Sequence, residues 1–215
     1  MTAAYALAGA TALLLIALLV GERLAASWRV WAKGAASAAF VGAALAAGAT
    51  ESAYGIWVLA ALCLAWVGDV SLELPGRRWF LVGLGAFLFA QLTYIGAFAS
   101  ARPHAVVAGA VAAGLLAPAG IVARWLWPHL GRDMRGPVLA YIVVISAMVA
   151  AAAGAAAGEG PVAAAPAAAA FYLSDLFVAR DRFVTPGFTN RLCGLPLYYG
   201  AQVVLALSVG WLCAS

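Results

Sequence analysis

Long apolar runs separated by short polar breaks set the pattern of this chain, and the runs have the length of helices rather than strands. Eight can be drawn, roughly 3 to 20, 31 to 49, 54 to 73, 79 to 99, 105 to 127, 137 to 157, 162 to 180 and 194 to 213. About 20 apolar residues carry an α-helix across the hydrocarbon core of a bilayer. The pattern therefore predicts an all-α membrane protein: one domain over residues 1–215, a bundle of eight transmembrane helices. Breaks such as GERLAASWR, PGRR, PHLGRDMRGP and RDRFVTPGFTNR are too short for a second, soluble domain. The first run has no basic residue before it and exceeds the usual signal-peptide core of about 7–15 apolar residues, so it reads as a retained helix.

Composition strengthens this reading. The chain is 67% hydrophobic and 9% charged, whereas a soluble domain carries about 25% charged residues. Alanine and glycine dominate several runs, notably 34 to 50 and 150 to 170, and small residues let helix backbones approach closely in lipid. Basic residues exceed acidic ones, but every basic residue except Arg102 lies in an odd-numbered connection or at its edge. By the positive-inside rule the odd connections are cytoplasmic and both termini lie on the outer side of a multi-pass protein of the cell (inner or plasma) membrane. No basic cluster resembles a nucleic-acid footprint. Cys63, Cys193 and Cys213 sit in apolar runs without metal or redox spacing and read as small buried side chains.

Against this background a few polar residues stand out by depth. Asp69 and Glu73 lie one turn apart near the inner end of helix 3, and Asp175 lies near the inner end of helix 7. An acid within a span costs about 2.5–3.5 kcal/mol at helix centre, and such residues usually face the bundle interior. Gln91 shares a stripe with Phe87, Tyr94 and Phe98. Tyr198, Tyr199 and Gln202 occupy the inner half of helix 8, and Lys33 opens helix 2 from the same side. Structural alternatives stand beside each. Glu73 could be a solvated helix end, Lys33 a snorkelling anchor, and Gln91 and Gln202 plain interhelical partners. Tyr198 and Tyr199 could join an interfacial belt with Trp28, Trp31, Trp125 and Trp127. His104 and His129 fall on opposite sides and cannot share a metal. Ser174, beside Asp175, lacks a histidine base, and no HExxH, phosphate loop or GxSxG elbow is present. Neither metal nor cofactor is expected.

The stretches WVGDVSLEL at 66 to 74, FLVGLGAFLFAQLTYIGAF at 80 to 98, AFYLSDLFVARDRF at 170 to 183 and LYYGAQVVL at 197 to 205 occur in order along most of the chain. Together they resemble the YhhN-like family of membrane proteins, whose characterised members are lysoplasmalogenases. The resemblance implies a hydrolase that cleaves the vinyl ether bond of a lysophospholipid substrate, releasing a fatty aldehyde and glycerophosphocholine or glycerophosphoethanolamine. It puts the family's GD aspartate at Asp69 and its SD aspartate at Asp175 as catalytic residues. Lys33, Glu73, Gln91, Tyr94, Ser174, Tyr198, Tyr199 and Gln202 are then supporting or substrate-binding residues. Many relatives have a histidine where this sequence has Gln91. Vinyl ether hydrolysis needs an acid and an anion, as glycoside hydrolysis does, and Asp69 and Asp175 are expected to supply them as a pair across helices 3 and 7. The lipid tail would lie among alanine-rich helices and its phosphate near Arg77, Arg78, Arg180 and Arg182. The competing reading is a proton-coupled lipid or small-molecule transporter, or a lipid-binding membrane protein. No repeat relating the two halves, common in transporters, is visible.

Overall fold

The computed structural model describes residues 1–212. Among these residues eight α-helices follow one another: α1 (Thr2–Arg23), α2 (Arg29–Ala46), α3 (Ala53–Glu73), α4 (Arg77–Ser100), α5 (Ala105–Leu126), α6 (Arg132–Ala157), α7 (Ala164–Ala179) and α8 (Phe188–Leu212). A 3-10 turn (Trp127–His129) follows α5 and a single π turn (Arg180–Val184) follows α7. No strand occurs among the described residues. By length and composition α1, α3, α4, α5, α6 and α8 can cross a membrane; α2, with 18 residues, and α7, with 16, are not in that set.

The helix ends depart from the sequence reading where proline or glycine intervenes. Helix α6 starts at Arg132 rather than 137, because Asp133 in its first turn suits the positive end of the helix and Pro137 is absorbed in the second turn. Helix α8 starts at Phe188 rather than 194 and carries Pro196 inside it. Helix α2 stops at Ala46 rather than 49, and the chain turns at Gly48, whose φ of +89° favours glycine. Ser52 caps α3 by accepting a hydrogen bond from the Gly55 amide at 3.0 Å.

The exterior is apolar, with Trp31 81% exposed and Val106 75% exposed. Water would not tolerate such a surface, and in a helical membrane protein it faces lipid. Helix α5 is extreme, since Leu126 is its one buried residue; it packs against α6. Two glycine contacts set the spacing of the interior helices. A side chain at Gly68 of α3 would meet the Phe87 ring of α4 at 2.7 Å, and one at Gly194 of α8 would meet Phe177 of α7 at 3.0 Å. Each glycine lies beside an acid-bearing stretch, Gly68 next to Asp69 and Gly194 against the backbone of Ser174. The odd-numbered connections gather at one end of the bundle, where Arg77 pairs with Asp133 and Arg191 with Glu22. At the other end Arg102 pairs with Glu159 at 3.2 Å, and Tyr54 bonds Ser208 at 2.8 Å.

Candidate functional site

Helix α3 holds Asp69 where α2, α4 and α8 converge, and its buried carboxylate meets only donors. Tyr198 donates to Oδ2 at 2.6 Å and Ser37 at 2.7 Å, while the Lys33 ammonium lies 3.7 Å from Oδ1. Ser37 and Lys33 are four residues apart on α2 and so share a face. Lys33 also donates to Glu73 at 3.0 Å, with both side chains only 10% exposed. The acid is thus compensated by a cation and satisfied by two hydroxyls, the arrangement a buried anion requires.

Asp175 has a different setting. Its Oδ2 accepts from the Tyr141 hydroxyl at 2.6 Å and from Gln91 Nε2 at 3.3 Å, and Gln91 also donates to Tyr141 at 2.8 Å. Its Oδ1 faces only the distant Ser174 hydroxyl at 3.5 Å, which is committed to the Phe171 carbonyl at 2.7 Å. Among the described residues no cation lies within ion-pair distance of Asp175. Two buried polar atoms close by, Gln91 Oε1 and Tyr172 Oη, have no partner.

Both acids line one cavity of about 230 Å³. Its walls are largely apolar, built from Phe87 and Leu84 of α4, Ile142 and Ile145 of α6 and Leu176 of α7, while Lys33, Glu73, Asp175, Arg182 and Arg191 supply charge. Phe87, Phe171 and Tyr198 pack edge-to-face beside it, at 5.5 to 6.3 Å between ring centres. No hydrogen bond or ion pair joins the two acids to each other. At the end where the odd connections gather, alternating charges continue outward from Asp69. Lys33 meets Glu73, Glu73 meets Arg29 at 3.7 Å, Arg29 meets Glu22 at 3.7 Å, and Glu22 meets Arg191, which also lies 3.8 Å from Asp181. Among the described residues no three His, Cys, Asp or Glu side chains gather as a metal-binding set.

Of the residues singled out in the sequence, Lys33, Asp69, Glu73, Ser174, Asp175 and Tyr198 line the cavity. Lys33 does not snorkel and Glu73 is not a solvated helix end; each is held by the other. Gln91 stands behind Asp175. Tyr199 acts at one remove, 3.1 Å from the Ser37 hydroxyl. Tyr94 donates to Gln202 at 2.6 Å, and neither residue of this buried pair lines the cavity. The buried positions of Tyr198 and Tyr199 rule out an interfacial belt for them. Cys193 is exposed rather than buried, Cys63 is half-buried, and Cys213 lies outside the described residues. Ser37, Tyr141, Glu22 and Arg191 escaped the sequence reading. Two signals were available: Ser37 is the single hydroxyl of α2, and Tyr141 is the single hydroxyl between Arg135 and Ser146.

The family model of the YhhN family matches residues 4–209. Proteins named lysoplasmalogenase from Mycobacterium bovis and Mycobacterium tuberculosis are each 46% identical over 99 residues, covering 43% of this chain and 38% of the relative. Human lysoplasmalogenase TMEM86B is 35% identical over 148 residues, covering 69% of this chain and 61% of the relative. The matched region therefore spans less than two thirds of each of these relatives. No solved structure matches the chain.

Proposed function

The chain belongs to the YhhN family, and from that premise we propose that it hydrolyses the vinyl ether bond of lysoplasmalogens, with Asp175 as general acid and Asp69 as the fixed anion. The observation that carries this division of roles is the unequal company of the two acids in one cavity. Asp69 has the Lys33 ammonium beside it, and Asp175 has only neutral donors. An anion without a cation is disfavoured in a low-dielectric site, so Asp175 is the acid that carries a proton, on the Oδ1 that lacks a close donor.

In the reaction Asp175 passes that proton to the β-carbon of the vinyl ether, the double bond shifts, and the ether oxygen and C1 share the positive charge of an oxocarbenium ion. The Asp69 carboxylate stabilises this cation, as a preorganised charge does at any developing ion. Water adds to C1 and gives a proton back to Asp175. The hemiacetal then collapses to fatty aldehyde and glycerophospho-base, with Asp175 relaying the hydroxyl proton to the leaving oxygen. The net change is consumption of one water. Tyr141 and Gln91 orient the acid. All eight helices cross the cell membrane in this reading, with the odd connections in the cytoplasm and both termini outside.

Aldehyde release by purified protein in detergent, measured with lysoplasmalogen and its saturated-ether and ester analogues, tests the proposal. Cleavage confined to the vinyl ether is the expected result, and the Asp69→Asn and Asp175→Asn variants should each lose about 10²- to 10⁴-fold in kcat. Full rates in both variants would sink the mechanism. Proton-coupled uptake into vesicles without aldehyde release would turn the reading to a transporter.

A further inference from the structure

We propose that Arg182, on the π turn after α7, is the phosphate-binding residue of a lipid headgroup subsite at the rim of the cavity. The inference rests on the reading that a lysophospholipid occupies that cavity. Three cations line it, Lys33, Arg182 and Arg191. Lys33 is committed to Glu73 and Asp69, and Arg191 to Glu22 and Asp181. Arg182 has no carboxylate or hydrogen-bond partner among the described residues. Its guanidinium instead lies over the Phe80 ring, 4.1 Å from the centroid, and Phe183 packs edge-on against that ring at 6.0 Å.

Stacking matters because it uses the face of the guanidinium and leaves the N–H donors of its edge free. A planar fork held on a fixed aromatic platform suits two phosphate oxygens. The acids nearby are already answered: Glu22 by Arg29 and Arg191, and Asp181 by Arg191 at 3.8 Å together with the Gly187 amide and the Asn190 side chain. Arg77 pairs with Asp133 and Arg180 donates to Asn190 at 2.6 Å, while Arg23 and Arg135, which also stack on aromatic rings, do not line the cavity. Arg78 lines a separate shallow depression.

The test measures equilibrium binding by scintillation proximity to the full chain in detergent. Its probes are 1-alkyl-glycerophosphocholine, whose saturated ether resists hydrolysis, and 1-alkylglycerol, which has no phosphate. Arg182→Gln should weaken binding of the phospholipid about tenfold, as loss of a charge-assisted hydrogen bond does, while the preference over 1-alkylglycerol collapses. Arg182→Lys should recover part of it, and Arg78→Gln should behave as wild type. Equal loss on both lipids, loss on neither, or the same loss in Arg78→Gln would overturn the subsite. Inorganic phosphate distinguishes the two sources of the anion: it should displace little phospholipid, and full displacement at equal concentration would assign the site to free anion instead. Wild-type aldehyde release is scored separately. Arg182-dependent binding without hydrolysis would keep the subsite and remove the reaction, whereas hydrolysis indifferent to Arg182 would do the reverse.

Discussion

Lys33 stands between two acids of α3, and its substitution separates its role from that of an anchoring lysine. Lys33→Met leaves Asp69 buried without a cation and Glu73 with only the 3.7 Å contact to Arg29, and breaking a buried pair from one side costs about 3–5 kcal/mol. Unfolding in detergent should show a loss of that order, and the Lys33→Met, Glu73→Gln double variant should recover part of it. A Lys33→Met protein as stable as wild type would return Lys33 to the snorkelling role. On the other acid, Tyr141→Phe removes the 2.6 Å hydrogen bond that orients Asp175. It should lower kcat about tenfold with little change in the unfolding midpoint. At this scale the sequence exposed the charged groups, because an acid in an apolar run is costly wherever it points. It marked Tyr141 and Ser37 only as lone hydroxyls in apolar runs, because their value comes from partners 34 and 32 residues away in the chain.

The helices owe their spacing to glycines that the sequence presents without distinguishing. Gly83 and Gly85 are two residues apart on α4, yet a side chain at Gly83 would meet Leu72 of α3 at 2.7 Å, while one at Gly85 would meet nothing within 4 Å. Gly83→Ala should therefore destabilise the protein by about 1–3 kcal/mol through overpacking. Gly85→Ala should be neutral or stabilising by up to about 1 kcal/mol through helix propensity. Equal unfolding midpoints for the two variants would contradict the close crossing of α3 and α4. Helix number was legible because each apolar run is long enough to be counted. The starts of α6 and α8 were not, since Pro137 and the polar residues Thr189, Asn190 and Arg191 read as boundaries yet sit within helices. In an apolar bundle neighbouring groups take over the freed carbonyls, and proline loses its power as a stop signal.

Across the whole molecule, the two ends of the bundle separate the odd from the even connections, and the proposed sidedness rests on their unequal charge. Single cysteines introduced at Arg132 and at Glu159 should react with an impermeant thiol reagent from opposite faces of the membrane, the second in intact cells and the first only after the membrane is opened. Labelling of both from one face would undo the eight-span topology. The chain of ion pairs at the odd end also governs the order in which the protein can be completed. Glu22 and Asp69, made early, wait for Arg191 and Tyr198 of the last helix. In the proposed eight-span topology, α1 to α3 would enter the bilayer before α8 is made, with their acids only partly answered. They would remain a provisional assembly until α8 arrives and joins α1 and α3 through these contacts.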